Sequence, residues 1–171
     1  MGGCGTEWQG PVTISADEFK QALARRASGV SIVTTRSGDR VHGMTVSAVV
    51  EVSLSPPLVL VCADKASNTL PLIEESRIFA VNLLARDQEA LSNRFASKKD
   101  EHRRFEGVPW RRGATGAPLL DGTVAALDCR VVDSHEHGDH VVYVGLVLET
   151  RCFERPPLLY FRSRYGSFAG D

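Results

Sequence analysis

Short runs rich in valine, isoleucine and threonine, separated by tight turns, fill most of this chain and constrain its fold more than any other feature. Val30–Thr35, Val41–Val46, Leu58–Ala63, Arg77–Leu84, Val124–Asp133, His140–Leu148 and Leu158–Phe161 each read as strands. Ser37-Gly38-Asp39 marks one hairpin turn and Gly138-Asp139 another. The apolar character of Val41–Val46 continues to Leu54, where Pro56-Pro57 breaks it. Helices are few and short. Ser15-Ala16-Asp17-Glu18 is a capping box, and Phe19, Ala22, Leu23 and Ala27 follow at helical spacing, so residues 16–27 read as an amphipathic helix. Residues 64–75 read as a loop and a short helix capped by Ser67 or Asn68, and Asp87 as the cap of a helix over Gln88–Phe95. This mixture predicts a mainly β fold with short α-helices, arranged as an antiparallel barrel and not as a parallel doubly wound sheet.

Between the second helix pattern and the last strands lies SKKDEHRRFEGVPWRRGATGAP (97–118), a polar connection long enough to be functional or mobile. Residues 1–12 read as a flexible Gly-rich leader and 13–171 as a single domain. A chain of 171 residues that is 43% hydrophobic can bury a core without disulfide staples. Cys4, Cys62, Cys129 and Cys152 form no CxxC pair, and the last three fall in apolar runs where buried free thiols are expected, as in a reducing cytoplasm. A net charge of −1 offers no field to recruit nucleic acid or an anionic membrane. No apolar run reaches the ~18 residues of a membrane span, and no secretory signal pattern is visible. Met1-Gly2-Gly3-Cys4-Gly5-Thr6 matches the N-myristoylation pattern, although a flexible leader accounts for the same residues.

Few residues advertise chemistry. His135-Glu136-His137-Gly138-Asp139-His140 gathers metal-binding side chains, but at a hairpin tip alternate residues face opposite ways, so a solvated turn with His140 opening the next strand is the expected arrangement. No GxSxG elbow and no GxGxxG after a strand occur. The carboxylates show no distinctive pairing. The stretch HGMTVSAVVEVSLSPPLVLVCA (42–63) is more unusual, because small hydroxyls at Thr45, Ser47, Ser53 and Ser55 interrupt an apolar strand pattern. They either alternate outward to water or line a surface where a phosphate or a flat ring approaches. Thr45 and Ser47 share one face of a strand, and Gly43 permits close backbone approach. The turn Ala63-Asp64-Lys65-Ala66-Ser67-Asn68-Thr69 offers backbone N–H groups, hydroxyls and a lysine to an anion. Phe95-Ala96-Ser97-Lys98-Lys99 is a third polar segment, at the end of a helix.

These pieces occur in an order that resembles a known family. ASGVSIVTT (27–35), GMTVSA (43–48), SLSPPLVLVC (53–62), KASNT (65–69), FAVNLL (79–84), NRFASK (93–98), GAPLLDG (116–122), GDHVVYVG (138–145) and PLLYFRSRYG (157–166) together resemble the short flavin reductase-like, split-barrel FMN/FAD-binding proteins. Many of these are reductase components of two-component flavin monooxygenases, and the nearest likeness is to those serving aromatic or steroid-ring hydroxylases. The resemblance implies a split β-barrel and an NAD(P)H:flavin oxidoreductase that uses FMN or FAD with NADH or NADPH. It also implies a homodimer with the flavin near the subunit interface, and a separate flavin-dependent oxygenase as partner. A flavin-holding electron-transfer module without turnover is the alternative.

By the same resemblance Gly43, Met44, Thr45, Val46 and Ser47, with Ala63, Asp64, Lys65, Ser67, Asn68 and Thr69, cradle the flavin and its phosphate-bearing chain. Asn82 and the segment Phe95, Ala96, Ser97 and Lys98 are further contacts. Tyr165 neighbours the pyridine nucleotide, and His140 lies near the nicotinamide as the one candidate catalytic side chain. No metal ligand is implied.

Overall fold

The computed structural model describes residues 10–168. The acylation pattern, Cys4 and most of the expected leader lie outside the described residues. In chain order the elements are α1 (Ala16–Leu23), β1 (Ser28–Gly29), β2 (Ser31–Ser37), β3 (Arg40–Val46), β4 (Val49–Leu54), β5 (Pro57–Asp64), α2 (Leu70–Ser76), β6 (Ile78–Leu83) and α3 (Glu89–Ala96). They continue as β7 (Trp110–Arg112), β8 (Pro118–Leu120), β9 (Ala125–His137), β10 (His140–Cys152), β11 (Leu158–Phe161) and β12 (Arg164–Ser167). Single 3-10 turns cover Arg86–Gln88 and Glu101–Arg103.

Seven strands form one antiparallel sheet in the order β3-β2-β6-β9-β10-β5-β4. β3 and β4 are consecutive in the chain yet occupy opposite edges, so the sheet curls into a barrel left open between them. Ser47 and Ala48 cross that seam. Two-residue turns set the registers: Ser37 faces Arg40 across Gly38-Asp39, and His137 faces His140 across Gly138-Asp139. Both glycines have positive φ, the conformation such tight turns demand.

Inside the barrel lie Val33, Met44, Val59, Val61, Phe79, Val81, Val131 and Tyr143. Outside it a second cluster joins Val30, Ile32, Leu84, Phe95, Leu120 and Leu158 beneath α3. Ser31–Thr35 is consequently buried on both faces, which is why its sequence lacks a simple polar alternation.

The structure departs from the sequence reading at several places, and α1 ends at Leu23, short of the expected residue 27. The segment 97–118 is no loop throughout: it carries a 3-10 turn and β7, and runs into β8, which covers β2 and β6 by accepting the Thr34 hydroxyl at the Pro118 carbonyl. The expected side-chain caps at residues 67–68 and 87 are absent. Thr69 precedes α2 without a side-chain cap bond, while Asp87 pairs with Arg155 at 2.6 Å. Cys152 is exposed where the strand outruns the core, whereas Cys129 is buried and Cys62 half-buried, all three free. Burial pushes the Cys129 thiol up to about 12, so it stays protonated. No helix among the described residues is long and apolar enough to cross a membrane.

Candidate functional site

The seam of the barrel opens into a cleft of about 220 Å³ lined by Val30, Thr45, Val46, Ser47, Ser92, Ala96, Tyr160 and Tyr165. β3 delivers Thr45 and Val46, α3 delivers Ser92 and Ala96, and the hairpin β11–β12 delivers the two tyrosines. That hairpin turns through Arg162 and Ser163, both with positive φ, and stacks Tyr160 on Tyr165 edge to face at 5.2 Å. Internal hydrogen bonds already hold most of the polar lining. Thr45 Oγ1 donates to the Ser92 carbonyl at 2.7 Å, Ser92 Oγ lies 2.9 Å from the Tyr165 hydroxyl, and that hydroxyl donates to Asn93 Oδ1 at 3.0 Å. Ser47 is exposed at the mouth. A neighbouring cleft of about 300 Å³ shares Ser47 and Tyr160 and adds Arg26, Ser28 and Arg162.

A polar network ties the back of β3 to two loops. His42 Nδ1 is 2.7 Å from Thr69 Oγ1, Asn68 donates to Glu101, and Ser67 Oγ lies 3.2 Å from Met44 Sδ. Arg104, almost fully buried, donates to the Gly43 carbonyl at 2.8 Å, to the Ser97 carbonyl and to Glu101 at 2.9 Å. At the far end of the same loop Lys65 pairs with Glu136 at 2.8 Å, and its backbone N–H donates to the Asp139 carbonyl. His140 Nδ1 is 2.7 Å from Asp139 Oδ1, and His135 Nε2 is 3.0 Å from Asp133. Among the described residues no three His, Cys, Asp or Glu side chains converge on a metal position.

The structure therefore brings together Thr45, Val46, Ser47, Ala96 and Tyr165 in one cleft, with Asn68, Thr69 and Ser97 in the adjoining network. Lys65, Asp64 and His140 stand apart at the β9–β10 turn, His140 opposite Asp64 in register. Lys98 is exposed, and its charge helps hold the Glu101 carboxyl below the usual carboxylate range. Several of the expected contact residues have little free surface. Asn82 is fully buried and spends its amide on the Ile32 carbonyl, the Thr34 hydroxyl and the Leu120 N–H. Phe95 and Ala63 are fully buried and Met44 is 8% exposed, so they pack the core and offer a ligand almost no surface. Gly43 makes room for Phe95: a Cβ there would stand 2.9 Å from Phe95 Cε1 and from the Val33 carbonyl oxygen. Sequence reasoning missed Ser92, Tyr160, His42, Glu101 and Arg104. Ser92 adjoins a motif segment and Tyr160 lies inside one, but Glu101 and Arg104 sit in a charged run where nothing separates a buried arginine from a solvated one.

Burial holds the His42 imidazole below its usual 6.5, the Arg104 guanidinium pushes the same way, and Glu101 opposes both. The unfolded chain thus takes up this proton before the folded chain does. Its contribution to stability is present above the ordinary value and is lost as pH falls below it. We expect wild-type melting to drop between about pH 7.5 and about pH 5.5 by roughly 2 °C more than that of His42→Gln. Thermal scans at the two pH values check this, and equal drops would remove His42 from the balance.

Known proteins share this architecture. The family model described as flavin reductase like domain matches residues 23–169. The FMN reductase (NADH) RutF of Ancylobacter novellus is 40% identical over 158 residues, spanning 92% of this chain and 87% of that one. The flavin-dependent monooxygenase reductase subunit HsaB of Mycobacterium tuberculosis is 36% identical, spanning 86% of this chain and 79% of that one. Among solved structures, the NADH:FAD oxidoreductase SgcE6 of Streptomyces globisporus, in complex with NAD and FAD fragments, superposes with a TM-score of 0.84 at 33% identity. It covers 91% of this chain and 93% of that one.

Proposed function

The chain belongs to the flavin reductase like family, and on that premise we propose that it is an NAD(P)H:flavin oxidoreductase supplying reduced flavin to a separate monooxygenase. The observation that carries this reading is the cleft at the barrel seam, where Ser47 and the two tyrosines frame a slot beside β3. Its fit to a flavin is good in kind. A slot of about 220 Å³ takes the edge of a flat ring and not a whole dinucleotide. Its lining has no carboxylate, thiol or imidazole, as suits chemistry carried by two heterocycles. When bound, FMN or FAD supplies the acceptor for the hydride of NADH or NADPH.

The chain's own residues bind, orient and exclude water. The Ser47 hydroxyl would donate to the flavin, and Tyr160 and Tyr165 would wall the slot. Ser67, Asn68, Ser97 and Lys98 would hold the phosphate-bearing chain, and Lys65 would join them only by leaving its ion pair with Glu136. His140, half-buried and outside the cleft, would orient the nicotinamide nucleotide and is not an obligatory proton donor. His140→Ala is expected to raise KM for NADH about threefold to tenfold with little change in kcat, the loss of one hydrogen bond. Unchanged steady-state kinetics with NADH would remove that role.

The test of the function is direct. Apo-protein is titrated with FMN and with FAD, and NADH and NADPH oxidation is followed with each flavin. Turnover that depends on added flavin is the expected result. A tightly held flavin without turnover would make the protein an electron-transfer module instead.

A second copy of the chain completes the assembly. Edge strand β4 leaves Val50, Val52 and Leu54 exposed, with Leu54 at 92%, and β10 adds Leu148. An unpaired apolar edge of this kind is a liability unless covered. Light scattering is expected to give twice the chain mass, and Val50→Asp with Val52→Asp to shift it toward the monomer. A wild-type monomer would overturn the dimer. The free thiols agree with a reducing, cytoplasmic setting.

A further inference from the structure

Arg104 belongs to none of the motifs that carry the family resemblance, yet it is only 4% exposed. Among the described residues its one carboxylate partner is Glu101. Its Nη1 donates to the carbonyl of Gly43 on β3, and its Nη2 to the carbonyl of Ser97, the residue that ends α3. Through Glu101 it also reaches Asn68, ahead of α2. One guanidinium thus fastens three segments that come from separate parts of the chain. β3 has a ladder only with β2, and the loop holding Asn68 follows β5 on the other side of the seam. No backbone ladder sets their spacing.

We propose that Arg104 is the positioning residue of the flavin site. It fixes β3, the end of α3 and the Asn68 loop at the separation the cofactor requires, and does not itself touch the ring. The proposal rests on the reading of the seam cleft as the flavin site. The planar fork of an arginine addresses two carbonyls in different directions at once, whereas a lysine offers one compact centre. Stability alone gives a poor account of this residue. Its Nε is buried with no hydrogen-bond partner, and apolar packing commonly serves a buried site as well as an ion pair does. Geometry gives a better one, because two of its bonds end on segments assigned to the cofactor and the third reaches the Asn68 loop through Glu101.

The test uses the full chain as wild type, Arg104→Lys and Glu101→Gln. Wild type is first titrated with FMN and FAD and assayed for flavin-dependent NADH oxidation. Arg104→Lys keeps the charge but loses the double reach. The flavin dissociation constant and flavin KM are expected to rise about tenfold, while kcat at saturating flavin and KM for NADH move less than about twofold. A bridge that is merely structural would lower the melting temperature and leave the flavin dissociation constant alone, and that result overturns the proposal. Should Arg104→Lys fail to fold, Glu101→Gln decides. It leaves the carbonyl bonds of Arg104 in place but weakens the tether to Asn68, so a rise of about threefold in the flavin dissociation constant is expected. No rise overturns the proposal. Wild type that neither binds nor reduces flavin removes the functional reading and the proposal together. Wild type that binds, with unchanged affinity in the variants, removes the proposal alone.

Discussion

Ser47→Trp is expected to raise the flavin dissociation constant at least about 100-fold, a loss of about 2.7 kcal/mol. Ser47 lies on the two-residue crossing between β3 and β4 and lines both clefts that meet at the seam. An indole there fills most of a slot of about 220 Å³. Because Ser47 is exposed, the barrel has little reason to unfold, and the melting temperature should move by less than about 2 °C. Ser47→Ala serves as the companion variant. It removes one donor without filling space, so an increase of only about threefold to tenfold is expected. Flavin titration by fluorescence quenching separates the two, and flavin reduction should fall in parallel. Wild-type affinity in Ser47→Trp would place the flavin elsewhere on the molecule.

Gly43→Val should destabilise the fold by about 2–3 kcal/mol, the usual result of forcing atoms into a packed interior. A Cβ at this position meets Phe95 Cε1 and the Val33 carbonyl oxygen, each at 2.9 Å. The second contact is backbone within the β2–β3 ladder and cannot swing aside. Phe95 is no freer, since it is fully buried and packs edge to face on Phe105 at 5.2 Å. Relief therefore requires α3 to lift from β3, which breaks the Thr45 bond to the Ser92 carbonyl and opens the seam cleft. Denaturant melts should register the stability loss, and flavin affinity should fall with it. Gly29→Ala is the control, because nothing lies within 4 Å of a Cβ at that position. Equal stability of Gly43→Val and wild type would show that α3 does not sit on β3 as described.

How much of this can be read from the chain is best judged residue by residue. The hairpins at Gly38-Asp39 and Gly138-Asp139 follow from local turn chemistry, and the structure has both. The capping box at Ser15 and Glu18 is likewise formed as the sequence implies. Thr45 and Ser47 are close in sequence, and both line the cleft. Their roles nevertheless diverge, because the Thr45 hydroxyl is consumed by a carbonyl of α3, 47 positions later in the chain. Asn82 reads as a polar contact in a strand and is instead a core bracket between β2, β6 and β8.

The amino-acid sequence by itself determined where strands turn, which runs are apolar and which motifs resemble the family, since each depends on neighbours a few residues apart. Only the tertiary structure decided which hydroxyl stays free, that Gly43 shelters a phenylalanine, and that Arg104 is buried. Those outcomes depend on groups brought together from 47 to 61 positions apart, and a hydrogen bond is won by whichever partner the fold places within about 3 Å.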